Sequence, residues 1–184
     1  MPLTIFPKPY ADFVARLRVP SGFLLVAAFA WFAHPSARSL AVGVAVSAMG
    51  LALRAWAAGH LAKNQQLTTG GPYAYVRNPL YLGTLLVAGG LALACRSLGL
   101  AVLFALVFLF IYLPVVMLEE QHLRELFPEF ERYAQTVPAF IPSGKSSAAA
   151  TKFSWALFRK NQEYQASLGF VVGLAWLIWR TIWS

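Results

Sequence analysis

Apolar residues along the chain gather into five runs, separated by two tight polar breaks and two long polar connections. Crossing a hydrocarbon core of about 30 Å at about 1.5 Å per residue takes about 20 mostly apolar residues. The runs lie at about Val19–Ala33, Leu40–Leu61, Leu80–Cys95, Leu98–Leu118 and Ala166–Trp183. The first is short and draws on Phe13, Val14 and Leu17 before it. It ends in Trp31, Phe32, Ala33, His34 and Pro35 instead of a small-residue cleavage site, so it reads as a retained helix and not a cleaved signal peptide. Beyond Leu118, periodicity at Leu118, His122 and Leu126 and at Leu123, Phe127 and Phe130 carries the fourth helix out of the bilayer as far as Pro128. The pattern predicts an all-α integral-membrane protein of about five transmembrane helices in a single domain. A motif-bearing core covers about residues 40–142, a linker about 143–151, and a C-terminal transmembrane helix about 164–183. No internal repeat is visible, which disfavours an inverted-repeat transporter.

Composition agrees. Hydrophobic residues make up 59% of the 184 positions and charged residues 12%, against roughly 25% charged in soluble domains. Disorder and a disulfide scaffold are excluded by the apolar content and the single cysteine, Cys95. The net charge of +8 is an orientation signal, not a nucleic-acid one. With the N-terminus cytoplasmic, that side receives Lys8, Arg16, Arg18, Lys63, Arg77, Arg124, Arg132, Lys145, Lys152, Arg159 and Lys160, and the other only Arg38, Arg96 and Arg180. Both long connections, His60–Asn78 and Glu119 to about Gln162, then emerge on the cytoplasmic face, where any chemistry belongs.

Three features could bear that chemistry. Gly70 to Tyr81 leads into the third helix, with Asn78 placed to cap it and Pro79 at its first position. Such a helix start presents N–H donors to a carboxylate or phosphate, and Arg77 adds charge. Alternatively, Tyr73, Tyr75 and Tyr81 form an interfacial aromatic belt. Second, five of the seven acids, Glu119, Glu120, Glu125, Glu129 and Glu131, cluster where the fourth helix leaves the bilayer. Glu125, Glu129 and Glu131 read as surface residues, whereas Glu119 and Glu120 are costly near hydrocarbon unless paired. Third, Arg54 lies inside the second apolar run, either facing the bundle interior or snorkelling to the surface. His60 could act as a base. No metal-ligand spacing, no glycine-rich nucleotide fingerprint after a strand, and no Ser or Cys nucleophile set beside His and Asp is present. Gly169 and Gly173 suit close helix packing.

The segment Gly71–Tyr81, followed about forty residues later by Glu119, Glu120, Leu123, Phe127, Tyr133, Val137, Pro138, Phe140, Ile141 and Pro142, resembles the isoprenylcysteine carboxyl methyltransferase family and the related phospholipid methyltransferases. The resemblance implies S-adenosylmethionine bound at the cytoplasmic membrane face, S-adenosylhomocysteine as product, and a lipid-like acceptor entering from the bilayer. It places the cofactor against Gln65, Gln66, Leu67, Thr68, Tyr73, Asn78, Pro79, Leu80, Tyr81, Glu119 and Glu120, with catalytic roles for Arg54, Tyr81 and Glu120. Membrane lipids and a lipid-like or prenylated acceptor are the expected partners; nucleic acid is not.

The chain departs from the pattern in four places: Phe127–Tyr133 is one residue shorter than the family norm, the fifth helix has no counterpart in it, and two departures touch the site. Asn78 stands where the family usually has histidine. The stretch Ile111–Leu118 lacks the arginine that enzymes of prenylcysteine carboxylates use to hold that group, a part Arg54 could take. A prenylcysteine-type carboxylate is the nominal acceptor and a phosphatidylethanolamine amine the alternative, which would need a glutamate, Tyr81 or His60 as base. A membrane sterol-type reductase and a non-enzymatic membrane scaffold are the more distant readings.

Overall fold

The computed structural model describes residues 6–142 and 151–183; the linker read at Ser143–Ala150 lies outside them. Every regular element among the described residues is helical. They are α1 (Lys8–Phe32), α2 (Ala37–Ala58), α3 (Pro79–Cys95), α4 (Leu98–Leu126), α5 (Phe130–Thr136), α6 (Trp155–Lys160) and α7 (Tyr164–Trp183), with a 3-10 turn at Gly71–Ala74. Helices α2, α4 and α7 are long and apolar enough to cross a bilayer. Helix α1 is a fourth if its halves, Pro9–Leu17 and Pro20–Phe32, bent by 50°, make one span. Pro20 lies inside α1, lacks the N–H for its i−4 bond, and accounts for the bend. Helix α3 is apolar but has 17 residues, about 26 Å, short of a 30 Å core. The five expected spans therefore divide into three or four that meet the length criterion and α3, which does not.

Helices α2 and α3 form the tightest pair because glycines let their backbones meet. A Cβ on Gly50 would lie 2.6 Å from the Gly83 carbonyl oxygen, and one on Gly83 2.8 Å from that of Gly50. Between them the buried Ser47 hydroxyl donates to the Val87 carbonyl (3.2 Å). At the end away from the long connections, Phe29, Ala33, Ala94, Cys95, Leu100 and Leu177 bring α1, α3, α4 and α7 into one cluster. There the His34 N–H donates to the Cys95 carbonyl (3.0 Å), and Arg180 of α7 donates to Ala30 (3.1 Å). Large apolar side chains such as Phe23, Trp31, Leu98 and Val172 point outward and exposed, as lipid contact requires.

Midway, α4 widens into a π-helical turn at Phe108–Tyr112, just before Pro114. Proline at 114 has no N–H to give the Phe110 carbonyl four residues earlier. The Tyr10 hydroxyl of α1 donates to that oxygen at 2.8 Å, tying α1 to α4. Tyr10→Phe removes that hydroxyl donor. Thermal unfolding in detergent is expected to show a loss of about 1 kcal/mol.

Candidate functional site

At the end of the bundle where the long connections emerge, a cavity of about 690 Å³ lies between the ends of α2, α3 and α4 and the loop after α2. Its mouth is built from Ala62, Lys63, Asn64, Gln66, Leu67 and Thr68, and it reaches inward to Thr84 and Tyr112. The loop turns through Asn64 in the left-handed region (φ +58°) and closes where the Ala62 N–H donates to the Thr68 hydroxyl at 3.4 Å. A smaller apolar space of about 60 Å³, lined by Leu25, Leu85, Phe104 and Val107 among others, also has Thr84 and Tyr112 on its wall. The two spaces therefore adjoin at Thr84 and Tyr112.

The Gly70–Tyr81 segment is fixed by contacts distant in sequence. Gly71 has φ +57°, and a Cβ there would meet the His60 ring at 2.6 Å, so glycine is required by both conformation and space. The Arg77 and Asn78 N–H groups donate to the carbonyls of Pro138 (2.9 Å) and Ala139 (3.2 Å). Arg77 donates from Nε to Glu120 Oε1 (3.1 Å) and from Nη2 to Oε2 (3.3 Å), and from Nη1 to Ala134 (2.6 Å) and Val137 (2.9 Å). Asn78 does not cap α3, contrary to expectation. Its amide NH2 donates to Glu120 Oε1 (2.9 Å) and to the Ala139 carbonyl (3.3 Å), and its side-chain oxygen accepts no bond from the first N–H groups of α3. Phe130, Tyr133 and Val137 of α5 pack with Leu67, Leu123 and Phe127, laying the segment after α4 over the loop.

Of the site residues expected from sequence, Arg54, Gln66, Leu67, Thr68, Tyr73, Asn78, Leu80, Tyr81, Glu119 and Glu120 line the cavity; Gln65 and Pro79 do not. Tyr73 and Tyr81 are buried there, while only Tyr75 of the three loop tyrosines is exposed as an aromatic belt would need. Tyr81 packs edge-on against Tyr112. His60 is absent from the lining: its Nδ1 lies 2.8 Å from the Trp56 carbonyl and its Nε2 3.2 Å from that of Thr151, so it braces the chain beneath Gly71.

Glu120 is consumed by Arg77 and Asn78. Glu119, its neighbour, faces the cavity and makes no hydrogen bond or ion pair with any described residue. Burial pushes the Tyr73 hydroxyl well above the usual tyrosine range, with Tyr133 adding to it, so that group is a donor and not a base. The Tyr133 hydroxyl, raised likewise by burial, donates to the Tyr73 carbonyl at 2.7 Å.

Arg54 points into the cavity, not toward the surface. It donates from Nε to Glu163 Oε2 (2.9 Å) and from Nη2 to Oε1 (2.7 Å), and from Nη1 to the Thr84 hydroxyl and the Leu80 carbonyl. Among the lining residues that sequence reasoning did not single out are Glu163, Thr84 and Tyr112. Glu163 had one signal, as one of two acids outside the cluster.

The profile of the phospholipid methyltransferase family matches residues 18–129. Over 103 residues the chain is 39% identical to the cobalt-zinc-cadmium resistance protein CzcN of Cupriavidus metallidurans, covering 55% of this chain and 46% of that one. It is 34% identical over 147 residues to the nickel-cobalt-cadmium resistance protein NccN of Alcaligenes xylosoxydans xylosoxydans, covering 78% and 64%. It is 28% identical over 141 residues to the protein-S-isoprenylcysteine O-methyltransferase of Schizosaccharomyces pombe, covering 73% and 59%. The chain thus spans about half to two thirds of the length of these relatives. No solved structure matches it significantly.

Proposed function

Because the chain belongs to the phospholipid methyltransferase family, we propose that it is a membrane methyltransferase using S-adenosylmethionine in the cavity described above and acting on a lipid-borne acceptor. The observation that supports this best is Glu119, a carboxylate without a described partner facing a chamber within the usual size range of small-molecule sites, about 300–1,000 Å³. It suits the ammonium or ribose hydroxyls of the cofactor. The first turn of α3, with Leu80 and Tyr81 on the cavity wall, suits its carboxylate through the positive helix end, and the rings of Tyr73 and Tyr81 suit its adenine or sulfonium. When bound, S-adenosylmethionine supplies a methyl group activated by a sulfonium. The chain's own part is to orient and to exclude water: the Arg77–Glu120 pair fixes the loop against α4, and the apolar residues beyond Thr84 and Tyr112 keep water from that end of the cavity.

Two acceptors fit different observations. The similarity to the isoprenylcysteine methyltransferase of Schizosaccharomyces pombe favours a prenylcysteine-type carboxylate. The engagement of Arg54 by Glu163 favours an amine such as a phosphatidylethanolamine headgroup. In the membrane, α3 is the fifth span, held against α2, with the N-terminus and the site cytoplasmic. The metal-resistance names belong to the relatives. Among the described residues no three His, Cys, Asp or Glu side chains gather to hold a metal, and metal handling forms no part of this reading.

Calorimetry is expected to show S-adenosylhomocysteine binding to the purified protein, weakened at least tenfold, about 1.4 kcal/mol, by Glu119→Gln without loss of the fold. No binding to the unmutated protein would sink the methyltransferase reading. Lipid extract incubated with labelled cofactor would then reveal the acceptor.

A further inference from the structure

Three cations line the cavity, and their surroundings differ. Arg77 is held by Glu120, Lys63 sits on the exposed loop, and Arg54 stands one turn from the end of α2, beside Thr84, which lines both the cavity and the small apolar space next to it. An acceptor entering the cavity from the bundle side would meet Arg54 there. Four of the five N–H donors of Arg54 are engaged, two by Glu163 and two by Thr84 and Leu80, which leaves one on Nη2 and no free two-pronged face for a carboxylate.

Glu163 is held there by a built turn. The Asn161 amide donates to the carbonyls of Ala58 and Leu61, each at 2.9 Å, and the Ser154 N–H donates to that of Gly59 at 2.8 Å, so the segment is pinned to the end of α2. Gln162 then takes the left-handed region (φ +56°), rare for a residue with a side chain, and turns Glu163 onto Arg54. The side chains of Arg54 and Glu163 are 21% and 11% exposed, so the pair is only lightly screened. An incoming carboxylate would exchange one bidentate pair for another and strand Glu163 without a counter-charge, which costs more than it returns. Glu163 also lies beyond the residues shared with the family, 18–129.

We propose that Glu163 is a specificity-determining residue which, by occupying the two-pronged Nε/Nη2 face of Arg54 and neutralising it, excludes acceptors whose reacting group is an anion and admits neutral or cationic ones. This rests on the reading that the acceptor enters this cavity. The test is equilibrium binding of three probes to the protein in phosphatidylcholine bilayers: an S-prenylated N-acetylcysteine, its neutral amide, and an S-prenylated cysteamine. The unmutated protein is expected to bind the carboxylate no more tightly than the amide. Glu163→Gln frees Arg54 and is expected to raise the preference for carboxylate over amide at least tenfold. Arg54→Gln frees Glu163 and is expected to raise the preference for the amine over the amide by a similar factor. A merely structural pair would weaken all three probes together. A clear carboxylate preference in the unmutated protein, or an unchanged order in Glu163→Gln, overturns the proposal; if that variant fails to fold, Arg54→Gln decides in the same way. S-adenosylhomocysteine binding, measured in parallel, reports separately on the methyltransferase reading.

Discussion

Arg77→Ala is expected to destabilise the protein by about 3–5 kcal/mol, the largest effect of any single side chain near the cavity. The guanidinium makes four hydrogen bonds, two to Glu120 and two to the carbonyls of Ala134 and Val137. Both side chains of the pair are largely buried, at 14% and 13% exposed, so truncation leaves a carboxylate without its main counter-charge and two carbonyls without donors. Arg124 compensates only in part, since it lies 4.0 Å from Glu120 and is hydrogen-bonded to Glu131 instead. Thermal unfolding in detergent should show the loss, and calorimetry should show cofactor binding gone, since Asn78 and the start of α3 are positioned through the same carboxylate. Arg77→Lys keeps the charge but not the two-pronged geometry, and is expected to fall between the two. Full stability in Arg77→Ala would mean that the loop is held by its backbone bonds to Pro138 and Ala139 alone.

That dependence marks where the sequence stops being legible. The start of α3 could be read from Asn78 and Pro79, because a helix start is a local property of a few residues. The partner of the Asn78 side chain could not, because Glu120 is 42 positions away and a cap is the nearer use of an asparagine. Glu119 and Glu120 stood out together at the membrane exit; only the fold separates them, turning Glu120 toward Arg77 and leaving Glu119 to the cavity. Arg54 was conspicuous inside an apolar run, yet its partner comes from 109 positions further on, beyond a stretch of low complexity. The π-helical turn was hidden because Phe108–Tyr112 is apolar throughout; Pro114 was its one trace. The orientation expected from the basic residues and the site expected on the cytoplasmic face depend on a membrane, and belong to the proposed function.

Gly90→Ala is expected to destabilise the protein by about 1–3 kcal/mol, whereas Gly89→Ala, one position away, is expected to be neutral or to stabilise by up to about 1 kcal/mol. A Cβ on Gly90 would press on the Ser47 hydroxyl and lie 2.5 Å from the Gly43 carbonyl oxygen and 2.7 Å from the Ser47 nitrogen. Two of those atoms are backbone, so no side-chain rotation relieves the contact and α2 must move away from α3. At Gly89 the same atom meets nothing within 4 Å, and the substitution only improves helix propensity. The consequence reaches the site through the same helix pair. Gly83 packs against the Arg54 stem, with a Cβ there 2.5 Å from Arg54 Cγ, and Thr84 beside it bonds the guanidinium. Separating α2 from α3 therefore shifts Arg54 relative to Thr84 and loosens its grip on Glu163. Paired unfolding curves for Gly89→Ala and Gly90→Ala in one detergent would test this, since their helix propensities change equally and only the packing differs. Equal stability in the two would mean that α2 and α3 are not held in backbone contact.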